Sequence, residues 1–126
     1  MSDDSRTFED LECWKACRLF RIWSRRLVDS FPAEERYRLA DQLIRASRST
    51  TANIAEGYGR YHYQESIQFC RHSRGSLSEC LDHLITALDD GLIDQAVLAE
   101  GRELIQTATK LVNGYIRYLT SRKSES

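Results

Sequence analysis

Apolar residues along the chain recur every three or four positions in long runs, which is the spacing that places them on one face of a helix. One run reads Cys13, Ala16, Cys17, Phe20 and Leu27. A second reads Leu39, Leu43, Ala46, Thr50 and Ile54, and a third Ile67, Cys70, Ser73, Leu77, Leu81, Leu84 and Leu88. The fourth carries Val97, Leu104, Ala108, Leu111, Tyr115 and Tyr118. These seams predict four helices, at about 9–30, 33–58, 64–90 and 95–121, each roughly 30 to 40 Å long. Alternating apolar and polar runs of the kind that make strands are missing, so the pattern reads as all-α, one four-helix bundle domain over residues 1–126.

The expected breaks have local causes. Phe31 avoids the α region because a proline follows it, and Pro32 suits a first helical turn, with Glu34 and Glu35 near the positive end of the second helix. Gly91, after Asp89 and Asp90, accepts a left-handed cap. The third break lies in TANIAEGYGR, residues 51–60, where Gly57 and Gly59 offer two positions at which positive φ costs little. A phosphate-gripping loop would need a strand before these glycines, and none is predicted there.

Helices one and four carry more apolar surface than one seam uses. Leu11, Trp14 and Ile22 flank the first stripe, and Leu98, Ile105, Val112, Ile116 and Leu119 form a second stripe on the fourth helix. A bundle buries about one face per helix, so the surplus implies another contact partner, most simply a second copy of the chain. With 126 residues, 41% hydrophobic, and a net charge of -1, the chain is sized for one domain without generic attraction to polyanions. Local charge is uneven, however. Residues 18–48 hold eight Arg against four acids, and residues 80–103 hold six acids against one Arg. The acidic polar start and the absence of a long apolar stretch predict a cytoplasmic protein without a membrane partner, whose four cysteines are reduced and buried.

FEDLECW, then FPAEERYRLADQLIRA, then NIAEGYGR, then RGSLSE resemble, in order and spacing, four-helix-bundle proteins first noticed as products of intervening sequences inside large-subunit ribosomal RNA genes. The resemblance covers residues 8–120. It implies an antiparallel up-down bundle assembled as a ring-like homopentamer, with no established enzymatic activity. It extends distantly to the accessory protein of diversity-generating retroelements, a basic pentamer that binds RNA. Three departures matter. Thr51 stands where the family usually has proline, His62 where Ser or Thr would cap the third helix, and Ser66 and Gln68 where an aromatic and a basic residue are frequent.

Chemistry-bearing groups are sparse. Cys13 with Cys17, and Cys80 with His83, have spacings compatible with zinc, although cysteines four apart in an apolar stripe more often pack than ligate. Glu79 with His83 lacks the paired Glu-x-x-His of a di-iron bundle. His62, His72 and His83 have no nucleophile in a recognisable turn. The expectation is no enzyme, no metal and no cofactor.

Two functional readings follow. In the first, Arg18, Arg21, Arg25, Arg36, Arg45, Arg48, Arg60, Arg71 and Arg74 form a basic surface for RNA or DNA, repeated by symmetry, with Tyr58, Tyr61, His62 and Tyr63 offering rings for unstacked bases. Those aromatics fit better a turn that staples two helices. In the second, a structural or adaptor oligomer binds another protein through the ring face or the acidic stretch around Asp82, Asp89, Asp90 and Asp94. Asn53 and Glu56 are expected to hydrogen-bond across the bundle or a subunit boundary, and Gly75 to let a neighbouring helix approach closely.

Overall fold

The computed structural model describes residues 6–125, and among these it contains helices and turns only. Four long helices, α1 (Glu12–Val28), α2 (Leu39–Gly59), α3 (Tyr63–Asp89) and α4 (Gln95–Glu125), are preceded by short 3₁₀ turns at Phe8–Asp10 and Ala33–Glu35. Helices α1 and α3 each pack against both α2 and α4, so the four surround one core.

Helix boundaries differ from the expected ones where side chains claim backbone groups. Thr7 and Asp10 close a turn before α1, the Thr7 amide donating to the Asp10 carboxylate at 3.1 Å and the Thr7 hydroxyl accepting from the Glu9 amide at 3.1 Å. Leu11 is then extended and the helix starts at Glu12 rather than near 9. After Pro32 the chain makes only a 3₁₀ turn. Glu35 receives the Leu39 amide at 3.4 Å, acting ahead of the helix instead of inside it, so α2 begins at Leu39 and not at 33. At the far end α4 continues past 121, with Arg122 and Lys123 in a last turn that suits cations and Lys123 bonded to Gln64 of α3.

The expected seams line the core. Leu39, Leu43, Ala46, Thr50 and Ile54 are buried, as are Ile67, Cys70, Ser73, Leu77 and Leu84. On α4 only Ala108 of the expected seam is buried, and the second stripe takes the rest of the core. Leu98, Ile105, Val112 and Leu119 are the buried seam, while Val97, Leu104, Leu111 and Tyr115 are half-buried at its margin and Tyr118 is exposed.

The α2–α3 turn departs most from expectation. Gly57 and Gly59 both lie inside α2 with helical backbone, and the left-handed residue is Tyr61, at φ 55°. Gly57 serves proximity instead. A Cβ there would sit 2.9 Å from Phe69 Cβ and 3.2 Å from the Ser66 Cα and carbonyl oxygen. Gly91 does adopt the left-handed cap, at φ 74°, its amide reaching the Leu88 carbonyl at 3.0 Å. Gly75 is exposed, and a Cβ there meets nothing within 4 Å in its own chain, so any helix that approaches it closely belongs to another copy.

A polar line runs through the α2–α3 contact. The Ser73 hydroxyl donates to the Thr50 carbonyl at 2.8 Å, and Ser49 and Ser76 hydroxyls meet at 2.8 Å. The four cysteines are free and buried beside it. Burial pushes Cys13, Cys70 and Cys80 up to about 12 and Cys17 to about 11; neighbouring thiols add to it at Cys13 and Cys70, and the Glu79 carboxylate followed by the Cys17 thiol at Cys80.

Two outcomes follow. Gly57→Ala should lose about 1 to 2 kcal/mol in urea unfolding, since overpacking against rigid backbone exceeds the roughly 1 kcal/mol gained in helix propensity, whereas Gly75→Ala should gain up to about 1. Equal effects at the two sites would show that Gly57 is not a packing constraint. The raised thiols also set an alkaline limit. Below pH 9 they are protonated whether the chain is folded or not; above it the unfolded chain releases protons that the folded chain holds until pH 11 to 12. Stability should therefore fall across pH 9 to 12, by as much as about 1.4 kcal/mol per pH unit for each thiol. A flat denaturation midpoint over that range would refute this.

Candidate nucleic-acid interface

The nine expected arginines do not share one surface. Arg21, Arg25 and Arg48 converge on a groove of about 250 Å³ between α1 and α2, floored by Ile22, Ile44 and Ser47. Arg26 joins them there. Helical spacing explains the convergence: positions 21, 25 and 26 turn toward α2 within about one helical turn and meet Arg48 across the seam. Arg21 spends one guanidinium nitrogen on the neutral Thr51 hydroxyl at 2.9 Å, which fixes the side chain without cancelling its charge. Arg25 pairs with Asp29 at 2.6 Å in an exposed contact of small worth. Among the described residues no acid pairs with Arg26 or Arg48.

The other six are dispersed. Arg18, one turn before Arg21, lies over the Trp14 ring at 5.9 Å. Arg36 and Arg71 are exposed, and Arg45 contacts Asp41 at 3.4 Å. Arg60 is held by Glu56 at 3.1 Å, reaches Glu65 at 4.0 Å and covers the Phe69 ring at 5.3 Å. Arg74 donates to the Asn113 side-chain carbonyl at 2.7 Å and ties α3 to α4.

A second concave region lies at the end of the bundle where the N-terminal turn, the α2–α3 connection and the last part of α4 meet. It encloses about 870 Å³ and is lined by Tyr58, Tyr61, Tyr63, Tyr115 and Tyr118, with His62, Arg6, Lys15 and Asp10 among the polar groups. Tyr61 is 86% exposed, so it does not staple helices, and His62 gives α3 no side-chain cap. The rings of Tyr115 and Tyr118 are stacked, with centroids 6.1 Å apart. Burial raises the Tyr115 hydroxyl above its ordinary range, so it stays protonated.

A match to the family model described as 23S rRNA-intervening sequence protein covers residues 9–114. The chain belongs to that family. No curated protein matches it.

In this family member the signature polar residues divide. Asn53 donates to the Ser49 carbonyl at 2.8 Å and hydroxyl at 2.9 Å, and Ser49 in turn meets Ser76, so Asn53 supports the α2–α3 contact. Among the described residues Glu56 bonds within its own helix, to Arg60 at 3.1 Å, and makes no bond across the bundle; a bond across a subunit boundary lies outside a single chain. Cys80 is buried in the core, whereas His83 contacts Glu79 at 3.1 Å, and among the described residues no group of three His, Cys, Asp or Glu is disposed to hold a metal. No helix of the described residues is long and apolar enough to cross a membrane.

Arg26 and the two α4 tyrosines were missed as site residues. Arg26 follows Arg25 directly, off the 18, 21, 25 stripe, and Tyr115 and Tyr118 lie on a stripe that reads as core. Asn53→Ala should lower unfolding free energy by about 1 kcal/mol, and Glu56→Ala by less than about 0.5, because the first sits in a partly buried network and the second in an exposed pair. Chemical denaturation of both variants decides; the reverse ranking would make Glu56 the structural residue.

Proposed function

We propose that this protein is a non-enzymatic, cytoplasmic, oligomeric four-helix bundle that binds nucleic acid, RNA foremost, through the arginine groove between α1 and α2. The observation that carries the reading is the convergence of Arg21, Arg25, Arg26 and Arg48, two of them without an acidic partner among the described residues, in a chain whose net charge is -1. A concave cluster of guanidinium groups matches phosphate geometry, and the balance of charge elsewhere limits the attraction to this face. The family description, tied to ribosomal RNA, supports RNA over DNA.

The antiparallel up-down arrangement has support in paired contacts. On α2 and α3, Gly57 lies by Ser66, Thr50 by Ser73 and Ser49 by Ser76, so one numbering falls as the other rises. Gln64 with Lys123 and Arg74 with Asn113 do the same for α3 and α4. Self-association as a pentamer has support in the family likeness and in Leu19, 62% exposed on α1. The adaptor reading draws on the same leucine and on the acids Asp89, Asp90 and Asp94 at the α3–α4 turn.

Titrating mass-verified protein against structured and single-stranded RNA and DNA at several salt concentrations tests the proposal. Affinity should fall steeply with salt, and Arg26→Ala and Arg48→Ala should each reduce the slope of log affinity against log salt by about 1. Absence of binding even at low salt would leave the adaptor reading as the better account.

A further inference from the structure

The cavity at the end of the bundle has a composition that the groove does not explain. Five tyrosines line it, drawn from α2, the α2–α3 connection, the start of α3 and α4. They form two ring pairs: Tyr58 with Tyr61, centroids 6.4 Å apart, and Tyr115 with Tyr118. Arg6 and Lys15 line it as well, and among the described residues so does the Asp10 carboxylate, which accepts from the Thr7 amide. Lys15 contacts Glu12 at 3.0 Å in an exposed pair, an interaction too weak to withhold it from a ligand.

Tyr61 is the telling residue. It is held in the left-handed region, where a bulky side chain costs free energy, and its ring is nonetheless almost fully in solvent at the cavity rim. The cavity volume falls in the range of small-ligand sites, roughly 300 to 1,000 Å³. Aromatic faces with hydroxyl edges take a flat heterocycle, and the neighbouring cations take an anion attached to it.

We infer that this cavity is a nucleotide-binding site, in which an unstacked nucleobase lies against the tyrosine rings and its phosphate is held by Arg6 and Lys15. From the cavity, Lys15, Arg18, Arg21 and Arg25 continue along α1 at steps of three, three and four residues, a cationic path of about 15 Å leading to the arginine groove. Such a path favours a base that belongs to a single strand, and in that form the inference rests on the nucleic-acid reading of the groove. A free nucleotide carries the same base and phosphate, so the test separates the two.

The test measures binding of a labelled short oligouridylate, a duplex RNA of equal length, and uridine monophosphate to the wild-type chain and to Tyr61→Ala, Tyr118→Ala, Tyr61→Phe and Arg26→Ala. Tyr61 and Tyr118 are exposed, and circular dichroism checks that the variants stay folded. Each alanine at a tyrosine should weaken single-strand binding about 5- to 100-fold, the worth of one stacked base, while leaving duplex binding unchanged and Tyr61→Phe close to wild type. Arg26→Ala should weaken strand and duplex alike. If uridine monophosphate binds with the same tyrosine dependence and neither RNA binds, the cavity takes free nucleotides and the groove proposal falls alone. Tyrosine variants that bind single strands as the wild type does overturn the cavity inference, and a loss confined to Arg26→Ala would then leave the groove proposal standing. If none of the three probes binds, both fail.

Discussion

The close approach of α2 and α3 at Gly57 governs the rest of this structure. With Cβ-sized space already filled by Ser66 backbone and Phe69 Cβ, the two helices meet through small residues for several turns, Ser66 at one level, Ser73 with Thr50 at the next, Ser76 with Ser49 beyond. Small side chains bring backbones near enough for a buried hydroxyl to reach a main-chain carbonyl on the other helix. That closeness leaves only residues 60–62 to connect Gly59 to Tyr63. A reversal this short needs one left-handed residue, and it falls on Tyr61 because Gly59 is still wound into α2. The left-handed backbone at the cavity rim is thus a consequence of helix packing about one turn away, at Gly57.

The core is correspondingly polar for its size. Ser24, Ser47, Thr50, Thr51, Ser66 and Ser73 are buried beside four free cysteines. Most of the hydroxyls bond helix carbonyls, as Thr50 does to Ser47 at 2.6 Å and Ser47 to Ile44 at 3.0 Å, so the desolvation cost is met locally. Ser24 on α1 is the exception among the described residues, a buried hydroxyl without a partner. Desolvated thiols act in the same direction as the hydroxyls: they are small, they permit close packing, and their raised pKa values keep them uncharged and unreactive at neutral pH.

Helix number and buried faces could be read from periodicity because burial of a stripe is a property of spacing, and Leu39, Leu43, Ala46, Thr50 and Ile54 show it directly. Where two stripes competed, as on α4, spacing alone could not rank them; the contact with α1 and α3 chose Leu98, Ile105, Val112 and Leu119. The role of Gly57 was misread for a related reason. A glycine that permits positive φ and a glycine that permits contact look alike in sequence, and only the neighbour at 2.9 Å tells them apart. The candidate groove was half legible. Arg21, Arg25 and Arg48 were visible as cations, but their convergence, and the dispersal of Arg36, Arg45, Arg60, Arg71 and Arg74, depends on which acids and rings each side chain meets. The tyrosine cavity was least legible, since α4 residues more than fifty positions from Tyr61 complete it.

Helix α1 joins the two concave regions, and its own sequence accounts for how it can. Its buried face is made mostly of small groups, Cys13, Ala16, Cys17 and Ser24, around one large ring, Phe20, and it packs against both α2 and α4. The helix places Lys15 at the cavity toward one end and Arg21, Arg25 and Arg26 at the groove toward the other. Neutral anchors do the positioning: the Thr51 hydroxyl for Arg21 and the Trp14 face for Arg18. An acid in either place would fix the arginine equally well and cancel the charge that a phosphate needs. Thr51 therefore does more than fill a buried position on α2. Its hydroxyl holds a groove arginine in position while leaving the guanidinium positive.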